Sequence, residues 1–170
     1  MIRVAILTVS DSCAGKIRQD VSGQTIRQML PPDKFEVCQY KIVADERKDI
    51  ERELTHFADD LCADIVLTTG GTGLGPRDVT PETTAAVCQR MVPGLAETLR
   101  LEGLRKTKNA MLSRAVAGVR KSTLIINLPG SPKAVRESME VILDVLPHAI
   151  EMLKGGGHER KKIQKSKCKM

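Results

Sequence analysis

The stretch Ile65-Val-Leu-Thr-Thr-Gly-Gly-Thr-Gly-Leu-Gly-Pro-Arg-Asp-Val-Thr-Pro-Glu82 organises the rest of the chain. Its opening run, Ile65 to Leu67, carries no charge and suits a strand buried on both faces. Four glycines follow, at 70, 71, 73 and 75, and then Arg77 and Asp78. Thr80 suits a helix N-cap and Pro81 the first helical position, where a missing N–H costs nothing. The segment therefore predicts strand, glycine-rich loop and helix start. Glycine lets the chain turn sharply and lets a ligand reach bare N–H groups, and a helix N-terminus adds partial positive charge. Together these favour an anion such as a phosphate, against the plainer reading of a tight turn with no ligand. No Gly-Lys-Ser/Thr follows, so this is not a P-loop. Pro76 stands where a dinucleotide fingerprint needs its third glycine.

Outward from this loop, the flanking chain alternates strand and helix signals. Residues 2–9 (IRVAILTV) read as a first buried strand, followed by a polar loop from Ser10 to Ser22. Ser22 suits the cap of a helix running to about Leu30, which Pro31-Pro32 ends. Phe35 to Val43 reads as a less regular strand. Arg47 to Leu61 is amphipathic, with Ile50, Leu54, Phe57, Ala58 and Leu61 on one stripe. Residues 81–91 and Leu95 to Arg105 read as helices. Thr123 to Leu128 is a short buried strand, and a last helix begins near Pro132 and is interrupted near Pro147. The order implies an α/β fold: three layers, α/β/α, around a mostly parallel sheet in a single domain. The domain is expected over 1–154, with 155–170 as a flexible basic tail.

Composition narrows the function. With 41% hydrophobic and 28% charged residues the chain is globular. Aromatic residues make up only 2%, which disfavours a base-stacking nucleic-acid platform. The net charge of +6 is concentrated in the tail, which carries +5 from Gly155 onward. The basicity therefore says little about the ligand of the main body. Five widely spaced cysteines (13, 38, 62, 88, 168) show no metal-binding spacing and suit a reduced, cytoplasmic protein. No stretch approaches a membrane span, so no membrane partner is expected.

Ligands of open α/β sheets sit beyond the carboxyl ends of the strands. Ser10, Asp11 and Ser12 follow the first strand, with Asp20 and Ser22 later in the loop. Asp45 and Glu46 follow the second, the glycines, Arg77 and Asp78 the third, and Asn127, Gly130 and Ser131 lie at the last. Each alone also reads as a cap or turn former, Asp45 as the cap of the helix after it. Converging on one edge, they suggest a phosphate site with a divalent cation, because Mg²⁺ is commonly held by one or two carboxylates, phosphate oxygens and water. Arg77 reads equally as a phosphate contact or as an exposed salt bridge.

Five motifs then fall into one register: ILTVSDS (6–12), DVSGQ (20–24), TTGGTGLGPRDVTPE (68–82), MLSRAVAGVR (111–120) and TLIINLPGSPKAV (123–135). In this order they closely resemble the molybdopterin adenylyltransferase family of molybdenum cofactor biosynthesis, to which the gephyrin G domain and its plant and bacterial counterparts belong. The likeness covers about residues 2–154. It implies transfer of AMP from ATP to molybdopterin with Mg²⁺, releasing pyrophosphate, in a homotrimer that passes its product to a downstream molybdate-insertion protein. By likeness, Gly70, Gly71, Thr72 and Gly73 hold the nucleotide, and Asp45 and Asp78 are the catalytic, metal-holding pair. Ser113 and Asn127 match positions near the pterin pocket, and Ser10, Asp11, Asp20, Ser22, Gly130 and Ser131 fall in loops lining the same cleft. One departure is Ala44, where many relatives have proline before Asp-Glu. A non-catalytic pterin-binding or scaffold protein of the same fold is the alternative. Molybdate insertion itself is assigned to a larger type of domain.

Overall fold

The computed structural model describes residues 1–156. Six strands form one sheet: β1 (Ile2–Val9), β2 (Phe35–Val43), β3 (Ile65–Thr69), β4 (Arg90–Met91), β5 (Ala117–Arg120) and β6 (Thr123–Leu128). Their spatial order is β2-β1-β3-β6-β5-β4. The first four in that order run parallel, and β5 and β4 complete an antiparallel edge.

The apolar-rich runs become central strands because both of their faces are covered. On β1, Val4 and Ile6 join one core cluster, while Ala5, Leu7 and Val9 join the other. On β6, Leu124, Ile126 and Leu128 face the first cluster and Ile125 the second. This is the two-residue period of a strand with apolar neighbours on both sides. Helices α2 (Val21–Met29) and α6 (Pro132–Ile142), joined by α7 (Leu146–Leu153), supply the first cluster. Helix α3 (Arg47–Asp59) supplies Ile50, Leu54 and Phe57 to the second, and α4 (Thr80–Val87) adds Val87. The three-layer fold is thus as expected.

Several local expectations are corrected. A one-turn helix, α1 (Asp11–Ala14), lies inside the loop read as irregular, with Ser10 accepting from Cys13 N at 3.3 Å as its cap. Asp20, not Ser22, caps α2, accepting from Gly23 N at 2.8 Å. The N-cap of α4 is Val79, which places Thr80 and Pro81 inside the helix. Glu46 precedes α3 without a side-chain cap, so Asp45 is free for other partners. The predicted 81–91 helix stops at Val87, and Arg90–Met91 pairs with β5 instead. β4 and β5, with two and four residues, are too short to show a period. The helix read from Leu95 begins two residues earlier, as α5 (Pro93–Leu104), while the last helix is interrupted before Pro147 into α6 and α7 as expected. The four described cysteines are free, and no helix among the described residues is long and apolar enough to cross a membrane. The body of the expected basic tail, residues 157–170, lies outside the described residues.

The topology also opens a crevice at the strand ends. From β1 the chain moves to one side to form β2, then returns to the other side of β1 to form β3. The loops after β1 and β3 therefore diverge, and a crevice opens between them, as at the switch point of any open α/β sheet.

Candidate active site

A cleft of about 580 Å³ occupies this crevice. Its floor is the end of β1 and β3, where Thr8 and Thr69 are register partners. One wall is the glycine-rich loop. Gly70 has φ +97°, and a Cβ there would run into the Val9 carbonyl oxygen. Gly71 has φ +63°, and its missing Cβ leaves room for Thr80 Oγ1 and, at 3.1 Å, Asp45 Oδ1. These are backbone positions that L side chains rarely adopt, and here the space is already taken. The Gly75 N–H donates to Asp78 Oδ2 at 2.8 Å, and Asp78 N returns a bond to Gly75 O at 3.0 Å. The loop thus orients the carboxylate that its sequence carries.

The opposite wall is built from α2 and α6. Asp20 Oδ2 accepts from the hydroxyls of Thr8 and Tyr40, so β1, β2 and α2 are tied together at one carboxylate. Burial and the Asp20 carboxylate push the Tyr40 hydroxyl far above the usual tyrosine range, so it stays a donor. Ser22 donates to Gly130 O at 2.7 Å, and Ser131 accepts from Ala134 N at 3.2 Å to cap α6.

Asp45 and Asp11 hold each other by reciprocal bonds. Asp11 N donates to Asp45 Oδ2 at 2.8 Å, and Asp45 N donates to Asp11 Oδ1 at 3.0 Å. Arg77 bridges Asp11 at 3.0 Å and Glu46 at 2.6 Å, so its salt-bridge reading is the one the structure adopts. The consequences for charge differ. Arg77, and then the Asp45 N–H, hold the Asp11 carboxyl below its ordinary range. Burial raises Asp45, and the charges of Asp11 and Asp78 raise it further against the opposing Asp11 N–H and Arg77. Two neighbouring carboxylates, one of them destabilised as an anion, form a place where a cation is favourable.

The donors here fit Mg²⁺. They are oxygens only, and Asp45 Oδ1 accepts no hydrogen bond among the described residues while sitting beside the unpartnered, buried Thr80 Oγ1. Among the described residues no group of three or more acidic, His or Cys side chains could hold a metal. A cation here would therefore take its remaining ligands from phosphate and water, as Mg²⁺ commonly does.

The expected site residues divide between two lobes. Ser10, Asp20, Ser22, Asp45, Gly70 and Gly71 line the first cleft, together with Asp78, Gly130 and Ser131. Thr72, Gly73, Ser113, Asn127 and again Ser131 line a neighbouring, more apolar cavity of about 590 Å³ between α5, α6 and the 3₁₀ turn Lys108–Leu112. Ser131 stands between the two. Asp11 lines neither lobe and acts on the rim through Arg77 and Asp45. The Asn127 side chain is fully buried. Its amide donates to Thr68 and Thr84 hydroxyls, both at 2.9 Å, and accepts from Val116 N at 3.3 Å. Both of its N–H donors are therefore spent inside the fold, and it shapes the cavity from behind.

Arg114 received no role from its position in the sequence, yet it braces the glycine-rich loop. Its Nε donates to Gly73 O at 2.6 Å, its Nη2 to Asp78 O at 2.5 Å, and its Nη1 pairs with Glu82. Arg114 N also donates to Thr72 O at 3.0 Å. One guanidinium thus pins both ends of the loop between Gly73 and Asp78. Its place next to Ser113, in a motif already quoted, is the signal that could have pointed to it.

The structure is an α/β domain whose glycine-rich loop and carboxylates line one cleft, with a second, more apolar cavity beside it. Residues 5–148 match the family described as "Probable molybdopterin binding domain". The chain is 42% identical over 156 residues to the molybdopterin adenylyltransferase of Helicobacter pylori strain ATCC 700392 / 26695, covering 91% of this chain and 89% of that protein. It is 34% identical over 169 residues to the enzyme of the same name from Escherichia coli K12, covering 91% and 86%. Among solved structures, the molybdopterin biosynthesis enzyme MoaB of Thermus thermophilus superposes with a TM-score of 0.86 at 55% identity, covering 91% of this chain and 98% of that one. The chain belongs to the molybdopterin-binding family of molybdenum cofactor biosynthesis proteins.

Proposed function

We propose that this protein transfers AMP from ATP to molybdopterin, with Mg²⁺, as a molybdopterin adenylyltransferase. Its family membership and its identity to enzymes of that name over most of their length support an enzyme of molybdenum cofactor biosynthesis acting by adenylylation. The observation that carries the finer reading is the meeting of Asp45 and Asp78 beside the glycine-rich loop, at a cleft next to a second, more apolar cavity. ATP fits the first lobe, where N–H groups of the loop and the N-terminal ends of α2 and α6 face a common space. The pterin fits the second, with Ser131 and the Gly130 turn at the junction.

In the reaction, an oxygen of the molybdopterin phosphate attacks the α-phosphorus of ATP. A new P–O bond forms, the bond to the bridging oxygen breaks, and pyrophosphate leaves with the electron pair. Mg²⁺, when bound, offsets the negative charge gathered on the phosphates. The protein's own part is positional. Asp45 and Asp78 aim the cation side of the triphosphate, Arg114 and the Gly75–Asp78 turn keep Asp78 in place, and Asp20, Thr8 and Tyr40 fix the start of α2. Holding both substrates at one junction converts a bimolecular encounter into a local one.

Assembly as a homotrimer is part of the same proposal. Leu101, Leu104, Met111 and Leu112 are exposed around α5 and the 3₁₀ turn, an apolar area suited to contact between copies. Light scattering on the purified protein checks the mass. A cytoplasmic location agrees with the four unpaired cysteines and with the use of ATP, and the activated pterin would pass to a molybdate-insertion protein. The decisive experiment incubates the protein with molybdopterin, Mg²⁺ and labelled ATP. Adenylylated molybdopterin is expected, with a loss of about a hundredfold, or about 2.7 kcal/mol of barrier, in Asp45→Asn or Asp78→Asn. Pterin binding without product would replace the enzyme by a binding or scaffold protein.

A further inference from the structure

Thr80 Oγ1 is the one buried side-chain oxygen or nitrogen among the described residues that has no hydrogen-bond partner. The residue is fully buried within the first turn of α4. Its neighbours Thr83 and Thr84 each find a partner for their hydroxyls: Thr83 donates to Val79 O at 2.7 Å, and Thr84 accepts from Asn127. Leaving a buried hydroxyl unpaired costs about 1–3 kcal/mol. A valine of the same shape would avoid that cost, so the hydroxyl calls for a partner that binds with the ligand.

The backbone around it shows where that partner lies. Thr80 N donates to Gly71 O at 3.2 Å, which seats the helix start under the glycine-rich loop. On the face of Gly71 where a side chain would project, Thr80 Oγ1 is the nearest atom and Asp45 Oδ1 is next, at 3.1 Å from the absent Cβ. A free donor and a free carboxylate oxygen therefore both border the position that a side chain on residue 71 would fill, and only a glycine there lets them do so. Asp45 Oδ2 is already engaged by Asp11 N, so Oδ1 is the oxygen left for a ligand.

We propose that Thr80 is a positioning residue for Asp45. When a cation and nucleotide phosphates draw the loop and the carboxylate together, the Thr80 hydroxyl donates to Asp45 and fixes the direction in which that carboxylate meets the cation. This rests on the nucleotide-binding reading above and adds the residue that sets cation affinity at the same cleft.

The test compares Thr80→Val, which keeps the shape and removes the hydroxyl, with Thr80→Ser, which keeps the hydroxyl. ATP affinity is measured by calorimetry with Mg²⁺ and with EDTA, alongside thermal unfolding. Thr80→Val is expected to lose about tenfold of the Mg²⁺-dependent gain in ATP affinity, about 1.4 kcal/mol, while its affinity in EDTA is unchanged. Its unfolding temperature should equal or exceed that of the wild type, because an unpaired hydroxyl has been removed. Thr80→Ser should retain the wild-type gain. If Thr80→Val does not fold, Thr80→Ala carries the same expectation for binding. An unaltered Mg²⁺-dependent gain in the hydroxyl-free variant, or a loss of affinity equal with and without Mg²⁺, overturns the inference and leaves the enzyme reading standing. Wild-type protein that shows no Mg²⁺-dependent ATP binding overturns both.

Discussion

Replacing Arg114 by lysine keeps the charge and removes the planar fork, which separates two explanations of what this residue does. The guanidinium donates to Gly73 O and Asp78 O at 2.6 and 2.5 Å and pairs with Glu82. A hydrogen bond to a charged group contributes about 1.5–3 kcal/mol when well buried. The Arg114 side chain is 33% exposed, and both carbonyls can recover water, so each bond falls below that range, to about 1 kcal/mol, or about 2 kcal/mol for the two together. The Glu82 pair, half exposed, adds at most about 0.5 kcal/mol. An ammonium group can satisfy one carbonyl but not both at the guanidinium's spacing. Arg114→Lys should therefore lose roughly 1–1.5 kcal/mol in urea unfolding, and Arg114→Ala about 2 kcal/mol. The effect on turnover should be larger than on stability, because the freed turn carries Asp78. A fall of about tenfold or more in kcat is expected for the lysine variant, equivalent to about 1.4 kcal/mol of barrier. Unfolding by urea and the adenylylation assay read the two quantities. Wild-type stability and kcat in Arg114→Lys would refute the clamp and leave charge alone as the residue's contribution.

Other expectations follow from the same geometry. Gly70→Ala forces φ +97° on a residue with a side chain and drives its Cβ into the Val9 carbonyl oxygen. It should cost roughly 2–4 kcal/mol in chemical unfolding and abolish nucleotide binding measured by calorimetry, strain alone accounting for about 1–3 kcal/mol. Tyr40→Phe removes one donor from Asp20 and should lower stability by about 1 kcal/mol, while Asp20→Ala releases β1, β2 and the start of α2 together and should cost more in the same urea titration. Asp59 accepts from Arg120 at 2.6 Å and pairs with Lys121 at 3.1 Å, and Arg120 in particular holds its carboxyl below the ordinary range. The folded value being depressed, this contribution is complete above the unfolded value near pH 4 and is lost as the pH falls through the folded value. Unfolding temperatures followed from pH 6 to pH 2.5 should drop more gently at the acid end in Asp59→Asn than in the wild type.

The linear pattern of residues carried the architecture of the sheet and the place of the cleft at its strand ends. IRVAILTV and TLIINL are dominated by apolar residues on both sides of the strand, so they suit central strands covered on both faces, and the helices between them had to run back across the sheet. The ends of such strands are where polar residues collect, and Asp45, Asp78 and the glycines are legible there because glycine and carboxylate have few uses so close together. Cap assignments slipped by one or two residues. Ser22, Asp45 and Thr80 each have the chemistry of a cap, and only the packed neighbours show that Asp20 and the bare Val79 end take those places. The short β4 and β5 strands offer no period to read and exist because β6 provides an edge for them. Three further matters were settled by the folded arrangement. It spent the amide of Asn127 on Thr68 and Thr84, brought Arg114 onto a loop 41 residues earlier, and buried the Thr80 hydroxyl beside Asp45 with nothing to bond. Local pattern reports which residues share a strand or a helix face. Which polar atoms find partners depends on distances between segments far apart in the chain, and these exist only once the two cores have closed around the sheet.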